Sequence, residues 1–90
     1  MSTNVDQTPG PTGGHWQTIT NERFPPDART IPDQRHPIPV IVRVVWKRDG
    51  EEWIDGDAIR WTRTHVFVTF GDRRLSTIGV WVAPGDVRRR

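Results

Sequence analysis

Hydrophobic and polar positions alternate most regularly between Ile38 and Lys47. One parity reads Ile38, Val40, Val42, Val44 and Trp46, and the other reads Pro39, Ile41, Arg43, Val45 and Lys47. A period of two marks a strand with one buried face, so the first set is predicted to face a core while Arg43 and Lys47 point outward. Asp49-Gly50 follows, a pair that favours a two-residue hairpin loop because both central residues of a type I′ turn need positive φ. The chain is therefore predicted to reverse into a second strand over residues 51–63.

That second strand carries an irregularity at Asp55-Gly56-Asp57. Strict alternation would put both carboxylates on the same face as Trp53, Ile59 and Trp61, and two acids in a small core are costly. A bulge at Gly56 would switch parity, leaving Ile54 inward before it, Ile59 and Trp61 inward after it, and Trp53 outward. Arg63-Thr64 predicts a short turn. Residues 65–70 alternate again, with Val66, Val68 and Phe70 inward and His65, Phe67 and Thr69 outward. After a turn at Gly71-Asp72 the pattern allows two inner faces, Ile78, Val80 and Val82 or Leu75, Thr77, Gly79 and Trp81; the first is preferred, which leaves Trp81 outside. Ala83-Pro84-Gly85-Asp86 reads as a single 3₁₀ turn that delivers a short closing strand from Val87.

The chain before Val40 has a different character. Residues 1–14 hold Val5 as their only branched aliphatic side chain, too little apolar surface to offset chain entropy, and are expected to be disordered. Trp16, Ile19 and Phe24 follow in a segment broken by Pro25-Pro26, Pro32, Pro37 and Pro39, which predicts an extended arm with three apolar anchors. Seven of the eight prolines lie between Pro9 and Pro39, whereas four of the five tryptophans lie from Val40 onward. Residues 1–39 are accordingly assigned to a Pro/Gly-rich flexible arm and residues 40–90 to the fold. Some fifty residues make a marginal core, and the absence of cysteine removes disulfides and thiolate metal sites as reinforcement.

The order of elements is all-β: strand, tight turn, long irregular strand, hairpin, hairpin, 3₁₀ turn, short last strand. It resembles the five-stranded SH3-like small barrels, and among them the Tudor and Agenet type. The residues that carry the resemblance are Trp53-Ile-Asp-Gly56, Val66-Phe-Val-Thr-Phe-Gly-Asp72 and Trp81-Val-Ala-Pro-Gly-Asp-Val87. The resemblance implies a binding module for peptides, methylated side chains, RNA or DNA. The chain departs from it in having no tyrosine, a residue the Tudor cages use repeatedly.

Charge sharpens this expectation. Residues 1–39 hold three arginines against four acids, while residues 40–90 hold ten Lys/Arg against seven acids, and twelve of the thirteen cations are arginine. Arginine suits planar recognition of phosphate or carboxylate and stacking on flat rings. The outward positions combine aromatics, Trp53, Phe67 and Trp81, with cations, Arg43, Lys47, Arg60, Arg73 and Arg74. Rings that stack on bases beside cations that track phosphates are what a single-stranded nucleic-acid binder requires. The alternative is a protein-interaction or assembly adaptor whose arm and exposed Trp residues dock on a partner, since Trp and Arg are also favoured anchors of protein interfaces. Arg88-Arg89-Arg90 reads as a generic basic end.

Catalysis is not expected. His15, His36 and His65 stand far apart without a second ligand at metal-binding spacing, Asp55 and Asp57 beside Gly56 are turn-formers, and no glycine-rich phosphate loop is present. No cofactor or metal is expected. Neither a membrane-spanning run nor a signal-like start occurs, so a cytoplasmic protein without a membrane partner is the expectation, and no pattern specifies a number of subunits.

Overall fold

The computed structural model describes residues 16–90 and is all-β. Strands β1 (Ile38–Trp46), β2 (Gly50–Trp61), β3 (Val66–Thr69), β4 (Gly79–Val82) and β5 (Val87–Arg89) form one antiparallel sheet in the order β4-β3-β2-β1-β5. This arrangement is compatible with an SH3-like fold. The 3₁₀ turn expected before the last strand spans Pro84–Asp86, and a second one, Ala28–Thr30, interrupts the arm. The segment expected to be disordered, residues 1–14, lies outside the described residues.

Strand β1 behaves as its alternation dictates. Val40, Val42, Val44 and Trp46 are buried, and Val68, Phe70, Val80 and Val82 meet them from β3, its exit and β4. Trp46 packs edge-on against Phe70 with ring centroids 6.5 Å apart. Truncating Val68 to Ala, at a fully buried position, is expected to cost about 2 kcal/mol by leaving a void where its two methyl groups stood. An unchanged urea midpoint for Val68→Ala would show that β3 does not line the core as described.

The first hairpin corrects the expected two-residue loop. Trp46 pairs with Gly50, so Lys47, Arg48 and Asp49 form a three-residue loop, and Gly50 (φ 80°) opens β2 in the left-handed region. The bulge is also displaced. β1 and β2 stay in register from Ile38↔Ala58 to Trp46↔Gly50 with no slip at Gly56. The slip falls on the other edge of β2, where Ala58 pairs with Val68 but Arg60 pairs with Phe67, so that Ile59 is the extra residue. Parity switches there, which keeps Ile54, Gly56 and Ala58 on the inner side before the slip and returns Trp61 to it afterwards, opposite Val66. Asp55 and Asp57 point outward, as physical cost requires, but the switch that reconciles them with Trp61 lies beyond them. Ile59 consequently stays outside the buried core, while Ala58 takes a core position.

Two further expectations in β4 are corrected. Ile78 is 67% exposed because β4 begins only at Gly79, and Ile78 ends the loop before it, with its carbonyl accepting from Phe70 N–H (3.2 Å). Trp81 lies on the side opposite Val80 and Val82, as alternation requires, yet is only 4% exposed. The arm covers it.

The course of the arm explains how so small a sheet is completed. β5 pairs with β1 only over Val40–Val42, leaving the edge of β1 beyond Val42 without a strand neighbour. The side chain of Asn21 takes the next positions: its Nδ2 donates to the Arg43 carbonyl (3.0 Å) and its Oδ1 accepts from the Val45 N–H (2.9 Å). The main chain then continues the ladder, Thr20 N–H donating to Val45 O (2.7 Å) and Lys47 N–H to Thr18 O (2.8 Å) around an Ile19–Trp46 bridge. Ile19 is thereby inserted into the core. At Arg23 the arm meets β4, its N–H donating to Trp81 O (2.8 Å). Thr18 to Arg23 thus tie the unpaired edge of β1 to that of β4, which are on opposite sides of the sheet in strand order.

Candidate interaction site

The outward residues expected to form one binding face are distributed over three places. The first is the outer side of β2-β1-β5, where Arg43 stands opposite Trp53 in the ladder. Arg43 is held by Glu51 (2.8 Å) and Asp86 (3.1 Å), and those two hydrogen bonds push its guanidinium pKa still higher. Trp53 is 40% exposed, and the guanidinium of Arg88 lies 4.5 Å from its ring centre. Arg88 belongs to the basic end that the sequence reading treated as generic. Alternation could have found it, since Val87 inward makes Arg88 outward beside β1. Arg90 adds contacts to Asp55, Asp57 and the Gly56 carbonyl on the same side. Cations and carboxylates are thus interleaved around Trp53.

The second place is the end of the sheet near the first hairpin, where Arg74 is not a surface cation. Its side chain is 17% exposed and donates to Asp72 (2.8 Å), Glu52 (2.9 Å) and Asp49 (3.0 Å), with its guanidinium 4.3 Å above the buried Trp46 ring. These hydrogen bonds raise the Arg74 pKa further and hold Asp72 and Glu52 below the usual carboxylate range. Asp49 is lowered first by the Gln17 side chain and then by Arg74. Arg73 and Lys47 are exposed nearby.

The third place contains Arg60, Phe67 and Trp81. Phe67 and Trp81 are ladder partners and their rings meet at 5.1 Å, with Arg60 5.6 Å above Phe67 and ion-paired to Asp33 of the arm. Gln34 N–H donates to Ile59 O (2.7 Å), so the bulged residue anchors the returning arm. Between arm and sheet an open groove of about 590 Å³ is lined by Trp16, Phe24, Phe67, Leu75, Ile78 and Trp81, with Glu22 at its wall. Trp16 (50%), Phe24 (68%) and Ile78 (67%) are, with Trp53, the exposed large hydrophobic residues among those described. Sequence reading missed this convergence because it assigned Ile78 to the core and left the arm without a defined path.

Among the described residues no group of three or more His, Asp or Glu could hold a metal ion, and no helix is long and apolar enough to cross a membrane. His65 sits in the turn after β2 with Nδ1 2.8 Å from Thr64 Oγ1. No protein-family model matches the sequence, and no curated protein or solved structure matches it either.

Proposed function

We propose that the protein is an interaction module, built on an SH3-like barrel of the Tudor or Agenet kind, that binds a partner protein in the groove between its arm and β3-β4. The observation that carries this reading is the gathering of Trp16, Phe24 and Ile78 around one groove floored by Phe67 and Trp81. Exposed apolar side chains scattered singly need no explanation, but large ones converging on a concavity mark a docking site. The cations Arg43, Arg60 and Arg74, by contrast, are engaged with carboxylates of the same chain. The test is capture of proteins from native lysate by the parent and by a Phe24→Ser/Ile78→Ser variant, with nuclease added to both. Partners that survive nuclease and vanish with the variant support the reading, and a capture pattern that the double substitution leaves unchanged overturns it.

A nucleic-acid reading rests on a separate observation, the Arg88 guanidinium stacked on the half-exposed Trp53 ring with Lys47 and Arg73 exposed elsewhere. On that reading Trp53→Ala weakens binding of a labelled single-stranded oligonucleotide by about 1–3 kcal/mol while leaving the salt slope unchanged. Absence of binding at low salt eliminates it.

A further inference from the structure

We infer that the open edge of β2 over residues 51–55 takes an extended segment of a partner protein, basic on its outer face, as an added strand. This surface is separate from the groove between the arm and β3-β4. The direction of its main-chain groups follows from the arm. Val45 N–H donates to Asn21 and the Val45 carbonyl accepts from Thr20, so Val45 faces away from β2, and its ladder partner Glu51 faces away from β1. Alternation gives Trp53 and Asp55 the same direction, while Glu52 and Ile54 face β1. Asp57, the next residue of this row, is met by Thr69, but β3 ends there and the Phe70 N–H turns to the Ile78 carbonyl (3.2 Å). Among the described residues no strand lies beside Glu51, Trp53 and Asp55 on that side, and all three are exposed. Where β3 departs, an open cleft of about 620 Å³, lined by Asp55, Asp57, Phe70, Gly71, Ile78 and Arg90, leads onto the edge.

A row of unpaired donors and acceptors at strand spacing selects an extended chain, because that conformation matches its repeat. The side chains select the charge. On the outer face the β2 row reads Glu51, Trp53, Asp55 and Asp57, three carboxylates and no cation. The arginines of that face lie behind the row, on β1, β5 and the residue after it. Arg43 is shared between Glu51 and Asp86, Arg90 between Asp55 and Asp57, and Arg88 stacks on Trp53. A strand laid outside β2 therefore meets carboxylates first. Basic residues opposite Glu51 and Asp55, four apart in the added strand, form favourable cross-strand pairs. A second copy of the same edge, paired about Trp53, would set Glu51 against Asp55, and like charges directly opposite disfavour that occupant.

The probe is a fluorescein-labelled seven-residue peptide that alternates valine and lysine. Three comparators carry glutamate in place of lysine, N-methyl groups on the lysine amides, or N-methyl groups on the valine amides. In the free protein the Glu51, Trp53 and Asp55 amides are expected to exchange with deuterium rapidly and those of Glu52 and Ile54 slowly, and the lysine peptide is expected to slow the first three. Anisotropy should show it binding about tenfold more tightly than the glutamate peptide. Methylating the lysine amides, which face the edge in an antiparallel pairing, should abolish binding, whereas methylating the valine amides should preserve it. Asp55→Pro removes one edge donor without touching the β1 ladder and is expected to weaken binding about tenfold, with Asp55→Asn as the control for the lost charge. If Asp55→Pro fails to fold, the methylated peptides decide alone. No slowing of the three amides at millimolar peptide overturns the inference, as does binding that is indifferent to methylation of the lysine amides or to glutamate in their place. Protection of these amides that rises with the concentration of the free protein assigns the edge to a second copy and overturns it too.

Discussion

Gly56→Ala is expected to destabilise the protein by about 3 kcal/mol, a large part of what so small a domain possesses. Gly56 has no unusual dihedral angle and stands in register opposite Val40, so nothing in its own strand demands glycine. The demand comes from β3. A Cβ at this position would lie 2.5 Å from the Thr69 carbonyl oxygen and 2.8 Å from Val68 Cγ1, distances that require backbone movement in the most buried part of the sheet. The control is Gly85→Ala, where an added methyl meets nothing within 4 Å and stability is expected to change by less than about 0.5 kcal/mol. Chemical denaturation of both variants checks the pair. Equal midpoints would mean that β2 and β3 do not approach as closely as described.

Arg74→Met is expected to cost about 3 kcal/mol at neutral pH, because it removes the partner of the mostly buried Asp72 along with the cation above Trp46. Methionine keeps much of the volume, so the loss is chiefly electrostatic. The sign with pH follows from the depressed carboxylates. A group whose folded pKa lies below its unfolded value contributes stability that is complete above the unfolded value and is lost as pH falls through the folded one. Asp72 and Glu52 are lowered by Arg74, so the gap between parent and variant should be full at about pH 7 and narrow markedly by about pH 2. A gap of the same size at both values would assign Arg74 a packing role.

The legible parts of the fold are those where a single strand settles its own exposure. In β1 the period of two and the β-branched residues specify the inner face without reference to any neighbour, and β3 follows the same rule. Pro84-Gly85-Asp86 likewise fixes its turn locally. What escaped was decided between elements. A parity switch near Asp55-Gly56-Asp57 is required by the carboxylates and Trp61, but its position depends on how β3 docks, and β3 places it at Ile59. Trp81 has the predicted side and the wrong exposure because a strand pattern cannot see an arm folded over it. Arg74 reads as one more surface cation until three acids from the first hairpin, β2 and its own loop converge on it. The groove was the least legible of all, since Trp16, Phe24 and Ile78 acquire meaning only from the path of the arm, which Asn21 fixes by a side-chain imitation of a strand.

That path bears on which strand edges of the sheet stay open. Unpaired strand edges are templates on which a second copy can add its strands. Here the β1 edge beyond β5 and the β4 edge at Trp81 are capped by Thr18–Arg23. A chain cut after Arg23 would present both edges together with the vacated Ile19 slot, and copy-to-copy strand addition becomes the next available pairing. Truncation is therefore expected to increase self-association, and light scattering of the truncated chain, compared with the intact one at equal concentration, measures that effect directly.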